Sequence, residues 1–155
     1  MYFNLLVLHT LTRWLVLISL AYAIYRGYAG WLDNKTFTRF DNTVRHVTAT
    51  IAHVQLIWGA WLYIISPITN YFLGNFKTAV HERQVRFFGM EHVTVMLIAI
   101  VLITVGSAKA KRQATDKLKF KTMAVWYTIA MVLILSSVPW QFSPLISRPY
   151  LRWFN

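Results

Sequence analysis

The segment LHTLTRW, Leu8 to Trp14, sets His9 and Arg13 one helical turn apart inside an otherwise apolar run. Similar intrusions follow: His46 and His53 in a second apolar stretch, and Glu91 with His92 at the start of a third. Imidazole, guanidinium and carboxylate groups ligate iron, offset acidic ligands and relay protons. In hydrocarbon each costs a few kcal/mol or more unless it faces a bundle interior and finds a partner, so such residues mark a functional site by default.

The elements that must carry these groups are read from hydropathy. The chain has 155 residues, 57% of them hydrophobic, gathered in four blocks: Leu5 to Tyr25, Val44 to Ile65, Val85 to Ser107 and Met123 to Trp140. Each is close to the roughly 20 residues that an α-helix needs to cross a bilayer. A soluble bundle would show a polar residue every third or fourth position on its outer face, and Leu97 to Val105 or Ile129 to Leu135 show almost none. The expected fold is all-α, a four-helix transmembrane bundle running up-down-up-down as one domain over 1–155. Ala21-Tyr22-Ala23 resembles a signal-peptidase site, but no basic residue precedes the first apolar run, so this helix is expected to be retained.

The net charge of +11 is placed as a membrane protein places it. Ten basic residues fall in two loops (Arg26, Lys35, Arg39 and Arg45; Lys109, Lys111, Arg112, Lys117, Lys119 and Lys121), against five on the other side: Lys77, Arg83, Arg86, Arg148 and Arg152. The positive-inside rule then puts both termini on the outer, non-cytoplasmic side, and the basic loops face the membrane surface instead of a nucleic acid. Cysteine is absent, which excludes disulfides, thiolate ligands and thiol nucleophiles.

In the first connection, Gly27 to Asn42, Asp41 or Asn42 is the expected cap of helix two, which should stop at Ser66-Pro67 because proline cannot continue the ladder. Ile68 to Gln84 reads as a long surface loop. Residues 141–155, rich in aromatic and basic side chains, read as an interfacial anchor, with a docking strip for a partner subunit as the alternative.

Helical spacing decides which polar residues can meet. His9, Thr12 and Arg13 share a face of helix one; His46, Thr50 and His53 share one of helix two; Gly89, His92, Met96, Ala99, Ile103 and Gly106 form a seam of alternating three- and four-residue steps on helix three. Gly89, one turn before His92, leaves room for a close neighbour or something flat. At about 1.5 Å per residue, His9 lies roughly 12 Å and His92 roughly 6 Å outside the midplane, with Arg13 and Glu91 at nearly equal depth. In a bundle arranged in sequence order, helices one and three are diagonal, and His9 with His92 is the pair best placed to hold a flat cofactor from both faces, His53 with His92 the second.

The sharpest chemical expectation is therefore one b-type haem ligated by two neutral imidazoles, with Arg13 near a propionate or paired with Glu91. Others stay open. His9, Glu91 and His92 are candidates for a zinc or non-haem iron site. Trp14, Tyr63, Glu91 and His92 are candidates for a quinone, which is a further possible cofactor. The same histidines also suit hydrogen bonds between helices in a non-catalytic accessory subunit.

With HTLTRW in helix one, AHVQLIWG in helix two, RFFGMEH opening helix three and SVPW closing helix four, the chain resembles the small four-helix bacterial membrane proteins labelled cytochrome b-like. The resemblance covers nearly the whole chain. It implies haem b and electron transfer in the bacterial plasma membrane, beside other membrane redox subunits or a quinol donor, with ligation falling on His9, His53 and His92. Many membrane cytochromes b carry four ligand histidines for two haems; helix four here carries none.

Overall fold

The computed structural model describes residues 1–140. The anchor or docking strip expected at 141–155 lies outside the described residues. The described chain is helical: α1 (Tyr2–Leu32), α2 (Arg39–Ile65), α3 (Pro67–Gly74), α4 (Phe76–Ala79), α5 (Arg83–Arg86), a π-helical stretch Phe87–Glu91, α6 (His92–Arg112) and α7 (Asp116–Ser137). Four helical spans are long and apolar enough to cross a membrane: Tyr2–Leu32, Arg39–Ile65, Arg83–Arg112 and Asp116–Ser137. At 22 residues the shortest spans about 33 Å, enough for the hydrocarbon layer. Large apolar side chains are left exposed along these spans, among them Ile18, Ile57, Val101 and Val132. Acyl chains are the natural neighbours of such a surface, and the chain is a multi-pass membrane protein.

The long helices contact one another in the cycle α1, α2, α6, α7 and back to α1, so α1 and α6 stand across the bundle axis. Inter-helix contacts fix the register. Arg26 on α1 pairs with Asp41 on α2, Thr48 donates to the Ser19 carbonyl at 3.3 Å, and Gln55 donates to the His9 carbonyl at 3.0 Å. Arg45, 4% exposed, donates from α2 to Asn42 and to the carbonyl and hydroxyl of Ser107 on α6, while the Tyr127 hydroxyl of α7 donates to the Arg45 carbonyl at 2.8 Å. The buried core around them runs through Leu20, Ala23, Ile103, Phe120, Met123 and Tyr127. At that end Phe37 packs edge-on against Phe120, with Lys119 over Phe37, Lys121 over Trp31 and Lys109 over Trp126. The two basic connections thus meet, each ammonium lying on an aromatic face.

Helices α1 and α7 lie close together at Gly27, where an added Cβ would stand 3.0 Å from the backbone of Ala124. Backbone cannot yield as a side-chain tip can. Gly27→Leu is therefore expected to lower stability by roughly 1–3 kcal/mol through overpacking, read as a lower midpoint of thermal unfolding in detergent; an unchanged midpoint would mean the helices separate freely there.

Two local expectations are corrected. Helix α1 continues to Leu32, through the Gly27 to Leu32 part of the expected connection, and the cap of α2 is Thr38, whose hydroxyl accepts the Asp41 N–H while the Asp41 carboxylate accepts the Thr38 N–H. This reciprocal capping box satisfies two otherwise orphaned donors. The second concerns Ile68 to Gln84, which is largely helical: Pro67 ends α2 by opening α3, since a proline at a first helical position has no N–H to lose. Outside the spans, the Tyr71 hydroxyl donates to Glu82 at 2.9 Å, and the carboxylate raises the phenol pKa above its ordinary value.

Candidate functional site

The bundle is closely packed where Phe120 and Tyr127 lie and hollow toward the end that holds Tyr2 and Pro139. There the early turns of α1, the later half of α2, α3, the start of α6 and the end of α7 enclose a chamber of about 700 Å³. That falls in the roughly 300–1,000 Å³ range of ligand and cofactor sites. Apolar side chains make most of its wall. Its polar side chains include His9 and Arg13 from α1, Gln55 and Tyr63 from α2, and His92 from α6.

His9 and His92 face each other across the axis with ring centroids 6.5 Å apart and planes at 71°. His92 Nδ1 lies 2.8 Å from the Ser137 carbonyl oxygen. A carbonyl only accepts, so Nδ1 carries the proton in a neutral ring, and Nε2 keeps the in-plane lone pair. Carbonyl-bound Nδ1–H is the arrangement that fixes tautomer and ring direction in metal-ligating histidines. Phe87 and Phe88 pack against the same ring at 5.6 and 6.3 Å.

His9 is held by Gln55. One amide N–H of Gln55 donates to the His9 carbonyl at 3.0 Å, and the same nitrogen stands 3.3 Å from His9 Nε2. The Gln55 side-chain oxygen accepts from Thr12. His9 Nδ1 is buried and has no hydrogen-bond partner among the described residues. Leaving a buried polar atom unmade costs about 1–3 kcal/mol, and an orphan beside a cavity marks a place where a ligand can supply the partner. The missing side chain of Gly59 gives this ring its room, since a Cβ there would meet His9 Cε1 at 3.3 Å.

The remaining expected residues are not gathered there. His53 is exposed and its Nε2 bonds Thr104 at 2.9 Å on the outer side of α6. Glu91 forms an ion pair with Arg86 at 2.6 Å and does not line the chamber. Among the described residues no three His, Asp or Glu side chains converge, so the metal-ion site of His9, Glu91 and His92 is not assembled. Gly89 is covered by Phe72 of α3 and lends its carbonyl to the Tyr63 hydroxyl at 2.8 Å; its missing side chain makes room for that cover and not for a cofactor. Of the quinone candidates, Tyr63 and His92 line the chamber, whereas Trp14 packs edge-on against Trp140.

Two contributors were not anticipated, Gln55 and the Ser137 carbonyl. The first was legible, as an amide in the apolar AHVQLIWG. The second was not, because a main-chain acceptor leaves no mark on residue type. The site defines the chain as a multi-pass membrane protein with an intramembrane chamber spanned by two imidazoles. No protein-family model matches the chain, and neither a curated protein nor a solved structure does.

Proposed function

We propose that the chain is a membrane-embedded b-type cytochrome that holds one haem b between His9 and His92 and carries single electrons. The carrying observation is the imidazole pair. A metal ion takes an imidazole nitrogen at about 2.0 Å, so ring centres 6.5 Å apart would let His9 and His92 hold one iron between them. The same spacing is too short for a quinone ring hydrogen-bonded between the two imidazoles through opposite carbonyls. The apolar wall, the chamber volume and the orphaned His9 nitrogen fit a flat lipophilic group held by nitrogen donors.

When bound, haem supplies the one-electron couple. The protein's part is to hold His92 by the Ser137 carbonyl, hold His9 by Gln55, exclude water, and present the Arg13 cation toward acidic groups. The proposed arrangement is up-down-up-down with both termini outward, supported by the register pairs Arg26–Asp41, Ser19–Thr48 and His9–Gln55 and by ten basic residues against five. The place is the bacterial plasma membrane. The role is that of a small subunit receiving electrons from a quinol or a partner redox subunit.

The test is an optical spectrum of the full chain purified from a haem-replete host. Sharp bands on reduction are expected; protein without such bands, purified in folded form, would leave a non-catalytic accessory subunit as the reading. Given haem, Arg13→Gln is expected to lower the midpoint potential by roughly 50 mV, close to a decade in a one-electron equilibrium, since losing a nearby cation disfavours the reduced form. An unshifted potential would remove Arg13 from the cofactor's surroundings.

A further inference from the structure

The chamber is closed on one side and open on another. Its wall residues from α1 and α7 include the buried Thr10, Val16, Ile134 and Val138, whereas its exposed lining residues are Ala60 and Ile64 on α2 and Leu97 on α6. Ile64 is 71% and Leu97 46% exposed. Helices α2 and α6 also touch less extensively than the other neighbouring pairs of long helices. Arg45 ties them through Ser107 at the packed end, and beside the chamber α2 is tied to the third span twice more, by His53 with Thr104 at 2.9 Å and by the Tyr63 hydroxyl with the Gly89 carbonyl of the π-helical stretch at 2.8 Å. Between the ties α2 offers Gly59 and Ala60, residues too small to fill the gap. Residues 53 and 63 lie about 15 Å apart along the helix, so the ties frame a window of that height.

The window opens within the span, on a rim of Ala60, Ile64 and Leu97 that carries no charge and no hydrogen-bonding side chain. Polar groups stand behind it: His9 and Arg13 on the far wall, Gln55 at its side. We propose that this window is the port through which the chamber is filled, so that its occupant is a bilayer-dissolved amphiphile entering sideways, polar end first. An aqueous solute would have to shed its hydration and cross hydrocarbon to reach the same rim. That the amphiphile is a tetrapyrrole rests on the haem reading above; the route does not. It also gives His53 a role, as one post of the frame.

The experiment uses the full chain from a haem-depleted host, reconstituted in liposomes with an uncharged phenyl diazirine dissolved in the lipid, then photolysed and mapped by mass spectrometry. The probe is expected to label the inner wall at His9, Gln55 and Met96 as well as the lipid-facing Ile18 and Val132. The double variant Ala60→Trp, Leu97→Trp should cut inner-wall labelling several-fold while Ile18 and Val132 keep theirs, which doubles as the check on folding. If that variant loses the lipid-face pattern, Ala60→Phe alone serves. An inner wall unlabelled in the parent, or labelled equally when the rim is plugged, overturns the port. Haem added afterwards separates the two ideas: labelling without haem uptake removes the cytochrome and leaves the port, and uptake into a chain whose inner wall stays dark does the reverse.

Discussion

Replacing His92 with alanine is expected to abolish haem retention, read as haem per polypeptide and as loss of the sharp reduced bands. Changing a residue that merely orients a metal-bound histidine costs about 10–100-fold in affinity, so loss of a ligand costs at least that. His9→Ala should do the same from the facing wall. Free imidazole, small enough for the space vacated, should restore part of the spectrum in either variant; a fold lost for other reasons would not respond. His53→Ala, altering a residue that bonds Thr104 outside the chamber, should leave the bands in place. Unchanged bands in His92→Ala would remove that residue from the iron and with it the central pairing.

The second large effect belongs to the other end of the bundle. Asp41 is fully buried, and its carboxylate accepts from Arg26 at 3.0 and 2.5 Å and from the Thr38 amide and hydroxyl at 3.0 and 2.7 Å. One side chain thus starts α2, ties α1 to it and holds a guanidinium. Asp41→Ala removes the carboxylate half of the capping box, leaving the Thr38 cap, and leaves Arg26, whose side chain is 31% exposed, beside an empty buried site. A broken buried pair costs about 3–5 kcal/mol and the lost half of the capping box less than about 1; with part of the Arg26 charge reaching water, the sum expected is about 3 kcal/mol. The midpoint of thermal unfolding in detergent should fall by several degrees, with haem affinity per folded molecule unchanged. A midpoint like the parent's would mean that Arg26 finds an equal partner elsewhere.

The four spans were legible because runs of apolar residues are the property a bilayer selects, and Pro67 ended α2 where its missing N–H required. The pairing of α1 with α6 across the axis followed from sequence order. The errors share one cause, treating local composition as local structure. The first connection read as starting at Gly27, yet Gly27 and Gly30 are helical, where Ala124 and Phe120 press against them and leave no room for a side chain, and the turn comes only at Asp33-Asn34. His53 and Glu91 have the right types for a site, but a helix face is chosen by what packs on it: His53 turned to Thr104 and Glu91 to Arg86. Spacing arguments located His9 and His92 because both lie on faces where tertiary packing and periodicity agree.

The π-helical stretch Phe87–Glu91 ends at His92. In a uniform ladder the direction of each side chain is inherited from the one before it, and one added residue advances that count by about 100°. The chain therefore keeps two angular frames on one continuous span: up to Arg86 residues are phased to the cover at the bundle's rim, and from His92 onward to its axis. Substitutions can accumulate in the cover without re-aiming the imidazole, so the rim is free to diverge with changing neighbours while the interior bearing stays fixed.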